Sequence, residues 1–311
     1  MDEFESFLAE NRGSKICAVT PGGNHGDTLI HMGLIKKLKE IGATCHCINL
    51  DGVHINQRLA GIQYLMKIAV WKVGLDRGLR LADIPEETDL ILFEGGAYMT
   101  DLWYGPVLLK QVLRAHETPI AIAPQSYWFD KTDLMDLFAD GRPVTLFCRE
   151  RYSFDLLSGM SPPRNVRLLL SGDTALYLER RDLEAYISPP QGRYDLICFR
   201  KDREAAVPEE LKRRVLGDAY NPLVSDISMN GGFSDFVSAV ANAGRVYTDR
   251  LHVAILASIF GKETTLFGNR YHKNKGVYEY SLRGNPRIKF IEAEGDGLNR
   301  VSFRKDELHE V

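Results

Sequence analysis

Five consecutive residues, Thr248-Asp249-Arg250-Leu251-His252, place a carboxylate, a guanidinium and an imidazole between a strand-like run and an apolar, helix-like run. We expect Asp249 to cap the helix, which puts Arg250 and His252 in its first turn, where free N–H groups and the helix dipole favour an anion. A fixed cation and a titratable imidazole at such a place suit transfer chemistry on a phosphate or carboxylate substrate. The alternative is a capped surface helix with a solvated arginine and a packed histidine.

Two glycine-rich turns follow strand-like runs nearer the N-terminus. The first, residues 21–27, reads Pro-Gly-Gly-Asn-His-Gly-Asp, and the second, residues 94–103, begins Glu-Gly-Gly and contains Asp101. Glycines let backbone N–H groups approach a ligand, so these turns favour an anion or a sugar. The first turn lacks the glycine spacing of the two common nucleotide-binding loops. Asp27 has an equally good alternative role as the cap of the helix that follows it.

Polar residues also end the other predicted strands. Gln125 and Ser126 follow the run 120–123, Arg149 follows the run 144–148, and Asp173 comes after the run 166–170. A helix-like stretch usually comes next, which is the alternation of a doubly wound α/β sheet. The carboxyl ends of the strands form the ligand crevice in such a sheet, so we expect these residues to converge in space.

The alternation changes at residues 183–193, where Ser188-Pro189-Pro190-Gln191-Gly192 reads as a linker. We therefore predict an α/β fold with two Rossmann-like domains facing a cleft, residues 1–187 and residues 188–311. Further strands are predicted at 15–20, 43–50, 90–93, 195–199, 245–247, 263–267 and 287–291. Helices are predicted at 28–41, 63–75, 107–116, 209–216, 233–242 and 253–260, and the charged tail from 304 packs as a helix or frays.

Composition excludes several classes of function. The 311 residues carry a formal net charge of -3, and 44% of them are hydrophobic, which is typical of a soluble globular protein. That charge gives no reason to expect nucleic acid as a partner. No apolar run reaches the length of a membrane span, and the acidic N-terminus lacks a signal-peptide core, so we expect a cytoplasmic protein.

The cysteines indicate thiols rather than a metal site or disulfides. Their number, five, is odd, and most sit inside apolar runs, which favours buried free thiols in a reducing compartment. Cys45-His46-Cys47 has the residue types of a metal site, but strand alternation sends both sulfurs to the face opposite the histidine, and no second ligand pair follows. We interpret this motif as structural and expect no metal.

The strand-end motifs, taken in order over residues 15–285, resemble the polysaccharide pyruvyltransferase family. The matching motifs are Gly23-Asn24-His25-Gly26-Asp27, Gly95-Gly96 with Asp101-Leu102-Trp103, Pro124-Gln125-Ser126, Arg149 with Ser153, Asp173-Thr174-Ala175, Thr248-Asp249-Arg250-Leu251-His252, and Asn269 with Tyr271 and Lys273. The resemblance implies a fold similar to that of GT-B glycosyltransferases. It also implies transfer of pyruvate from phosphoenolpyruvate to two hydroxyls of a sugar, as a cyclic ketal, in exopolysaccharide or cell-wall glycan biosynthesis.

This chemistry assigns roles to the strand-end residues. A donor with two anionic groups calls for fixed cations, so we expect Arg149, Arg250 and Lys273 to bind phosphoenolpyruvate. His252 is the expected proton donor to the methylene carbon, because an imidazole exchanges protons near neutral pH. The second domain is then the donor side and the first domain the acceptor side. The expected acceptor-binding residues are Asn24, Asp27, Asp101, Gln125 and Ser126.

No cofactor is expected beyond the donor substrate, and the acceptor sugar is either free or carried on a lipid, which would place the protein at the inner membrane face. Two other functions remain open. A GT-B-like glycosyltransferase would use a nucleotide sugar and would need a base- and ribose-binding site in the second half. A non-catalytic sugar-binding protein would not need the set of arginine, histidine and lysine residues.

Overall fold

A computed structural model describes residues 2–50, 66, 69–70, 82–190 and 192–293. Contacts divide the chain into two compact units, Met1–Glu179 with Glu279–Ser281, and Arg180–Tyr278 with Leu282–Val311. Most of the helix predicted at 63–75 and all of the tail predicted from 304 lie outside the described residues.

The first unit is built on a six-stranded parallel sheet in the order β2-β1-β3-β4-β5-β6. Its strands are β1 Lys15–Thr20, β2 Thr44–Asn49, β3 Leu90–Phe93, β4 Ile120–Gln125, β5 Val144–Cys148 and β6 Val166–Leu170. Its α-helices among the described residues are α1 Glu3–Glu10, α2 His25–Glu40, α3 Gly105–Ala115 and α4 Arg151–Gly159, with short 3₁₀ helices at Met135–Phe138 and Thr174–Tyr177.

Apolar side chains cover both faces of this sheet. Strand alternation sends Ile91 and Phe93 to one face, where they join the cluster that contains Leu108 and Val112 of α3. Leu90 and Leu92 belong to the cluster on the other face, with residues of α1 and α2. Because both faces are buried at the centre of the sheet, β3 and β4 read as largely apolar runs. β1, β3, β5 and β6 begin and end where the sequence predicts.

The second unit is built on a five-stranded parallel sheet in the order β11-β10-β9-β7-β8. Its strands are β7 Leu196–Cys198, β8 Leu223–Val224, β9 Arg245–Thr248, β10 Glu263–Phe267 and β11 Ile288–Ile291. Its helices among the described residues are α5 Arg180–Leu183, α6 Glu209–Asp218, α7 Phe233–Ala241, α8 Leu251–Ile259 and α9 Lys273–Val277, with a 3₁₀ helix at Glu184–Tyr186. The residues of a π-helical turn, Tyr278–Leu282, belong to both units.

The two parallel sheets with their helices confirm the predicted α/β class, while the cleft stays a prediction. β8 was missed because it has only two residues and both are exposed. In the described part of the chain no helix is both long and apolar enough to cross a membrane.

The turn after β6 approaches α2 closely because Gly33 of α2 has no side chain. Gly33 lies in α2, and a Cβ placed on it would come within 1.9 Å of the carbonyl oxygen of Thr174. Thr174 in turn donates its hydroxyl to the carbonyl oxygen of Ile30, at 3.0 Å. The turn after β6 therefore packs directly on the backbone of α2.

We expect Gly33→Ala to destabilise the first unit by about 1–3 kcal/mol, the usual cost of overpacking. Gly159→Ala is the matched control, because a Cβ added there meets nothing within 4 Å. The control should change stability by less than about 1 kcal/mol. All three tryptophans, Trp71, Trp103 and Trp128, belong to the first unit, so urea unfolding followed by tryptophan fluorescence measures the difference. Equal midpoints for both variants would show that α2 and the turn separate easily.

Candidate active site

The order in which strands are added to the first sheet reverses between β1 and β3. β2 lies on one side of β1 and every later strand of this sheet on the other, which is the topology that opens a ligand crevice at the carboxyl ends of the two strands. Both glycine turns lie at this switch point. Gly22, Gly23 and Gly96 have φ angles of 83°, 149° and 130°, which residues with a side chain rarely adopt.

Asn24 and Asp27 form a capping box at the start of α2. The side chain of Asn24 accepts a hydrogen bond from the N–H of Gly26, and the Asp27 carboxylate accepts one from the N–H of Asn24, each at 2.8 Å. The capping alternative for Asp27 is therefore the contact observed. Binding of an acceptor by these two residues stays a prediction.

Asp101 holds a loop. Its carboxylate accepts hydrogen bonds from the N–H groups of Asp130 and Lys131, at 2.7 and 2.8 Å, and from the Thr132 hydroxyl. Burial opposes ionisation, but the bond from Thr132 and the backbone bonds outweigh it and lower the pKa of Asp101. A carboxylate with a lowered pKa is a weak base, so the predicted part of Asp101 in acceptor binding is that of a hydrogen-bond acceptor.

Arg149 is a fully buried cation at the end of β5. Its Nη1 donates to the Asp173 carboxylate at 2.5 Å, and its Nε donates to the Ser126 hydroxyl at 2.8 Å. Among the described residues, its Nη2 has no hydrogen-bond partner. The ion pair is therefore buried, unlike a surface salt bridge, and one end of the guanidinium remains available to a ligand.

Gln125 is also fully buried, and it lies next to Arg149. The N–H of Arg149 donates to the carbonyl oxygen of Gln125 at 3.0 Å. Neither the oxygen nor the nitrogen of the Gln125 side-chain amide has a hydrogen-bond partner within the described residues. Buried polar groups without partners are rare, so two of them on neighbouring strand ends indicate a place for a small polar ligand.

Glu94 and His31 pair at the switch point, and neither was assigned a role from the sequence. Glu94 follows β3 and is buried, and its carboxylate contacts Nδ1 of His31 on α2. Burial opposes protonation of the imidazole, but the hydrogen bond and the charge of Glu94 outweigh it and raise the pKa of His31. The available signal was spacing, because His31 lies one helical turn after Asp27 and so shares its face.

The second unit has its own switch point, between β7 and β9. Arg250 follows β9 there and donates two hydrogen bonds to the Asp226 carboxylate, from Nε at 3.0 Å and from Nη2 at 2.5 Å. Its Nη1 donates to Asp202 at 2.9 Å. Because Arg250 is only 6% exposed, the alternative of a solvated arginine on a surface helix is wrong.

A network of charges connects Arg250 to Lys273. Arg200, at the end of β7, donates to Asp202 and to Glu204 at 2.7–3.0 Å, and the ammonium group of Lys273 contacts Glu204 as well. Two of the three predicted donor-binding cations therefore meet in one cluster. Four residues of this cluster were not predicted from the sequence: Arg200, Asp202, Glu204 and Asp226. The signal for the first two was again their position directly after a strand.

Asp249 does not cap α8, contrary to our expectation. Arg250 occupies the cap position, and the Asp249 carboxylate instead accepts the N–H of Arg200 at 2.8 Å. A buried N–H at a strand end needs an acceptor, and Asp249 supplies one across the switch point. Its other oxygen has no hydrogen-bond partner in the described ranges. Burial raises the pKa of Asp249 to about 6, against the lowering effects of the Arg200 N–H and of the charges on Arg200 and Arg250.

His252 lies half-buried at the second residue of α8, so its predicted position in the first turn is confirmed. Across residues 2–50, 82–190 and 192–293 no group of three or more histidines, cysteines and carboxylates is placed to hold a metal ion. Whether the reaction needs a metal stays a prediction.

Comparison with known proteins identifies one family. The model of the polysaccharide pyruvyl transferase family matches residues 24–271. General stress protein 30 of Bacillus subtilis (strain 168) is 23% identical over 256 residues, which cover 74% of this chain and 71% of that protein. The crystal structure of an uncharacterized protein from Klebsiella pneumoniae has a TM-score of 0.64 at 25% identity, over 93% of this chain and 97% of that chain.

Asp249→Asn should change how stability depends on pH. The folded pKa of about 6 lies above the ordinary value of 3.8, so the folded state binds the proton more tightly than the unfolded chain does. The stability from this proton is present below about pH 4 and is lost as the pH rises through about 6. From about pH 4 to about pH 7, wild type should lose roughly 2–2.5 kcal/mol of unfolding free energy relative to the variant. Urea titrations followed by circular dichroism measure this, and a constant difference would mean that Asp249 is ionised throughout.

Proposed function

This chain belongs to the polysaccharide pyruvyl transferase family, and from that premise we propose that it transfers pyruvate from phosphoenolpyruvate to two hydroxyls of one sugar. The products are a cyclic ketal and phosphate. The acceptor is a sugar of an exopolysaccharide or cell-wall glycan, free or attached to a lipid carrier.

The observation that carries the donor assignment is the unsatisfied end of Arg149. A buried guanidinium N–H without an acceptor costs roughly 1–3 kcal/mol, and an anionic ligand oxygen at Nη2 would remove that cost. Asp173 and Ser126 already fix the orientation of the guanidinium. The donor therefore meets a cation that needs no rearrangement, which is the condition for strong electrostatic recognition.

The proposed reaction begins with proton transfer from His252 to the methylene carbon, which leaves positive character at C2. A sugar hydroxyl attacks C2 and loses its proton, and phosphate departs with the C2–O bond electrons. The second hydroxyl then attacks C2 and loses its proton, which closes the ketal. Arg250 and Lys273 stabilise the negative charge of the donor. The sugar is held by Asn24, Asp27, Asp101, Gln125 and Ser126.

His31 is a better base for the acceptor hydroxyl than the carboxylate of Asp101. The pKa of Asp101 is lowered, whereas that of His31 is raised, against burial, by the hydrogen bond and the charge of Glu94, and a higher pKa makes a stronger base. Glu94 holds Nδ1 and so fixes the orientation of the ring, as the third member of a nucleophile–base pair does. We assign proton removal from the sugar to His31.

Arg149→Lys should lose most of the stabilisation by phosphoenolpyruvate. Lysine keeps the charge opposite Asp173, so the fold is retained, but it has no second nitrogen that could donate to phosphoenolpyruvate. Donor at a hundred times its dissociation constant stabilises the wild type by about 2.7 kcal/mol, which a thermal shift assay detects. Arg245→Lys is the control, since Arg245 begins β9 and pairs with Asp195. An undiminished shift in Arg149→Lys would remove Arg149 from the donor site.

His252→Gln separates chemistry from binding. With phosphoenolpyruvate and a panel of sugars, wild type should release phosphate, and the variant should keep the donor-induced thermal shift while turnover falls by ~10²–10⁴-fold. A lower melting temperature with turnover intact would mean that His252 only packs. Release of a nucleoside diphosphate from a nucleotide sugar, with phosphoenolpyruvate untouched, would instead establish the glycosyltransferase alternative.

A further inference from the structure

Two thiols on β2 have no part in the proposed transfer. Cys45 and Cys47 are separated by one residue, so they project from the same face of the strand, and their Sγ atoms lie 3.7 Å apart. Cys47 is exposed and Cys45 is half-buried. The expectation of buried thiols holds for Cys17, Cys148 and Cys198, but it is wrong for Cys47.

The surroundings distinguish the two sulfurs. The hydrogen bond from Cys45 lowers the pKa of Cys47 to about 7, against burial, and the charge of His31 lowers it further while Glu94 opposes. The same hydrogen bond, followed by burial, raises the pKa of Cys45. Near neutral pH Cys47 therefore carries thiolate character, while Cys45 stays the neutral thiol beside it.

We propose that Cys45 and Cys47 form a reversible redox site that reacts with hydroperoxides. An exposed thiolate next to a second thiol is the arrangement of a reactive cysteine and its resolving partner. The Cys47 sulfur attacks a peroxide oxygen, the O–O bond breaks, and the departing alkoxide or hydroxide takes a proton, which leaves a sulfenic acid on Cys47. The Cys45 thiol then attacks the Cys47 sulfur and loses its proton, the S–O bond breaks, and water leaves. One peroxide is reduced and two thiols are oxidised to one disulfide.

The position on β2 makes this disulfide easy to reduce. Residues two apart on an extended strand have Cα atoms about 6.6 Å apart, near the upper limit for a disulfide, so the strand must bend to form one. β2 is the edge strand of the described sheet and pairs with β1 alone there, which lets it bend at the smallest cost. Strained disulfides have higher reduction potentials, so a cellular dithiol would restore the site.

Peptide mapping after exposure to hydrogen peroxide tests the proposal. Trypsin releases both cysteines in one peptide, residues 40–58, which contains no other cysteine. We expect this peptide to lose two hydrogens, and its thiols to react a few times faster than an ordinary free cysteine of higher pKa. The internal controls are Cys17, Cys148 and Cys198, which are buried and should stay reduced in the same digest. Treatment with a dithiol should reverse the change.

Two variants test the separate roles of the sulfurs. Cys45→Ser should stop at a sulfenic acid on Cys47, which dimedone traps, and Cys47→Ser should leave Cys45 reduced. Circular dichroism checks that both variants fold. Three outcomes would overturn the proposal: a peptide that stays reduced while free cysteine is oxidised, equal oxidation of Cys45 in Cys47→Ser, or a disulfide between two chains on a non-reducing gel in place of one within the chain.

Discussion

The cost of holding charge away from water determines how the strand ends of both sheets are built. A buried ion stays in a protein only where partners replace its hydration, and removing one member of such a pair typically costs about 3–5 kcal/mol. Arg149 has Asp173, Arg250 has Asp226 and Asp202, and Arg200 shares Asp202. Apart from Arg200 and Asp202, which both follow β7, these pairs join residues from different strands, so they fix the ends of the strands relative to one another within each sheet.

The same constraint ranks the proposed donor cations. Every nitrogen of the Arg250 guanidinium already donates to a carboxylate. A ligand anion there must therefore share a nitrogen with Asp202 or Asp226, or displace one of these carboxylates. Arg149 keeps one nitrogen without an acceptor and needs no such exchange. Family membership makes the chain a transferase, and the difference between these two arginines suggests which of them offers the lower barrier to donor binding.

Much of the fold and part of the site were readable from the sequence. Strands such as Leu90–Phe93 are continuous apolar runs because both faces of a parallel sheet are covered, and topology alone brought Arg250 and Lys273 to the same edge. The partners of these cations were not readable. Asp226 and Glu204 lie in loops without a periodic pattern, and Asp249 was assigned to a helix cap because the need of the Arg200 N–H for an acceptor arises only from the tertiary structure.

The carboxylate of Asp202 accepts hydrogen bonds from two arginines at once, Arg200 and Arg250. A mutation at either arginine therefore alters the electrostatic environment of the other, and the free-energy effects of the two substitutions cannot add. In evolutionary terms the three positions are epistatic: a change tolerated at one of them depends on what the other two already are. We therefore expect related sequences that differ at this edge of the second sheet to differ at Arg200, Asp202 and Arg250 together.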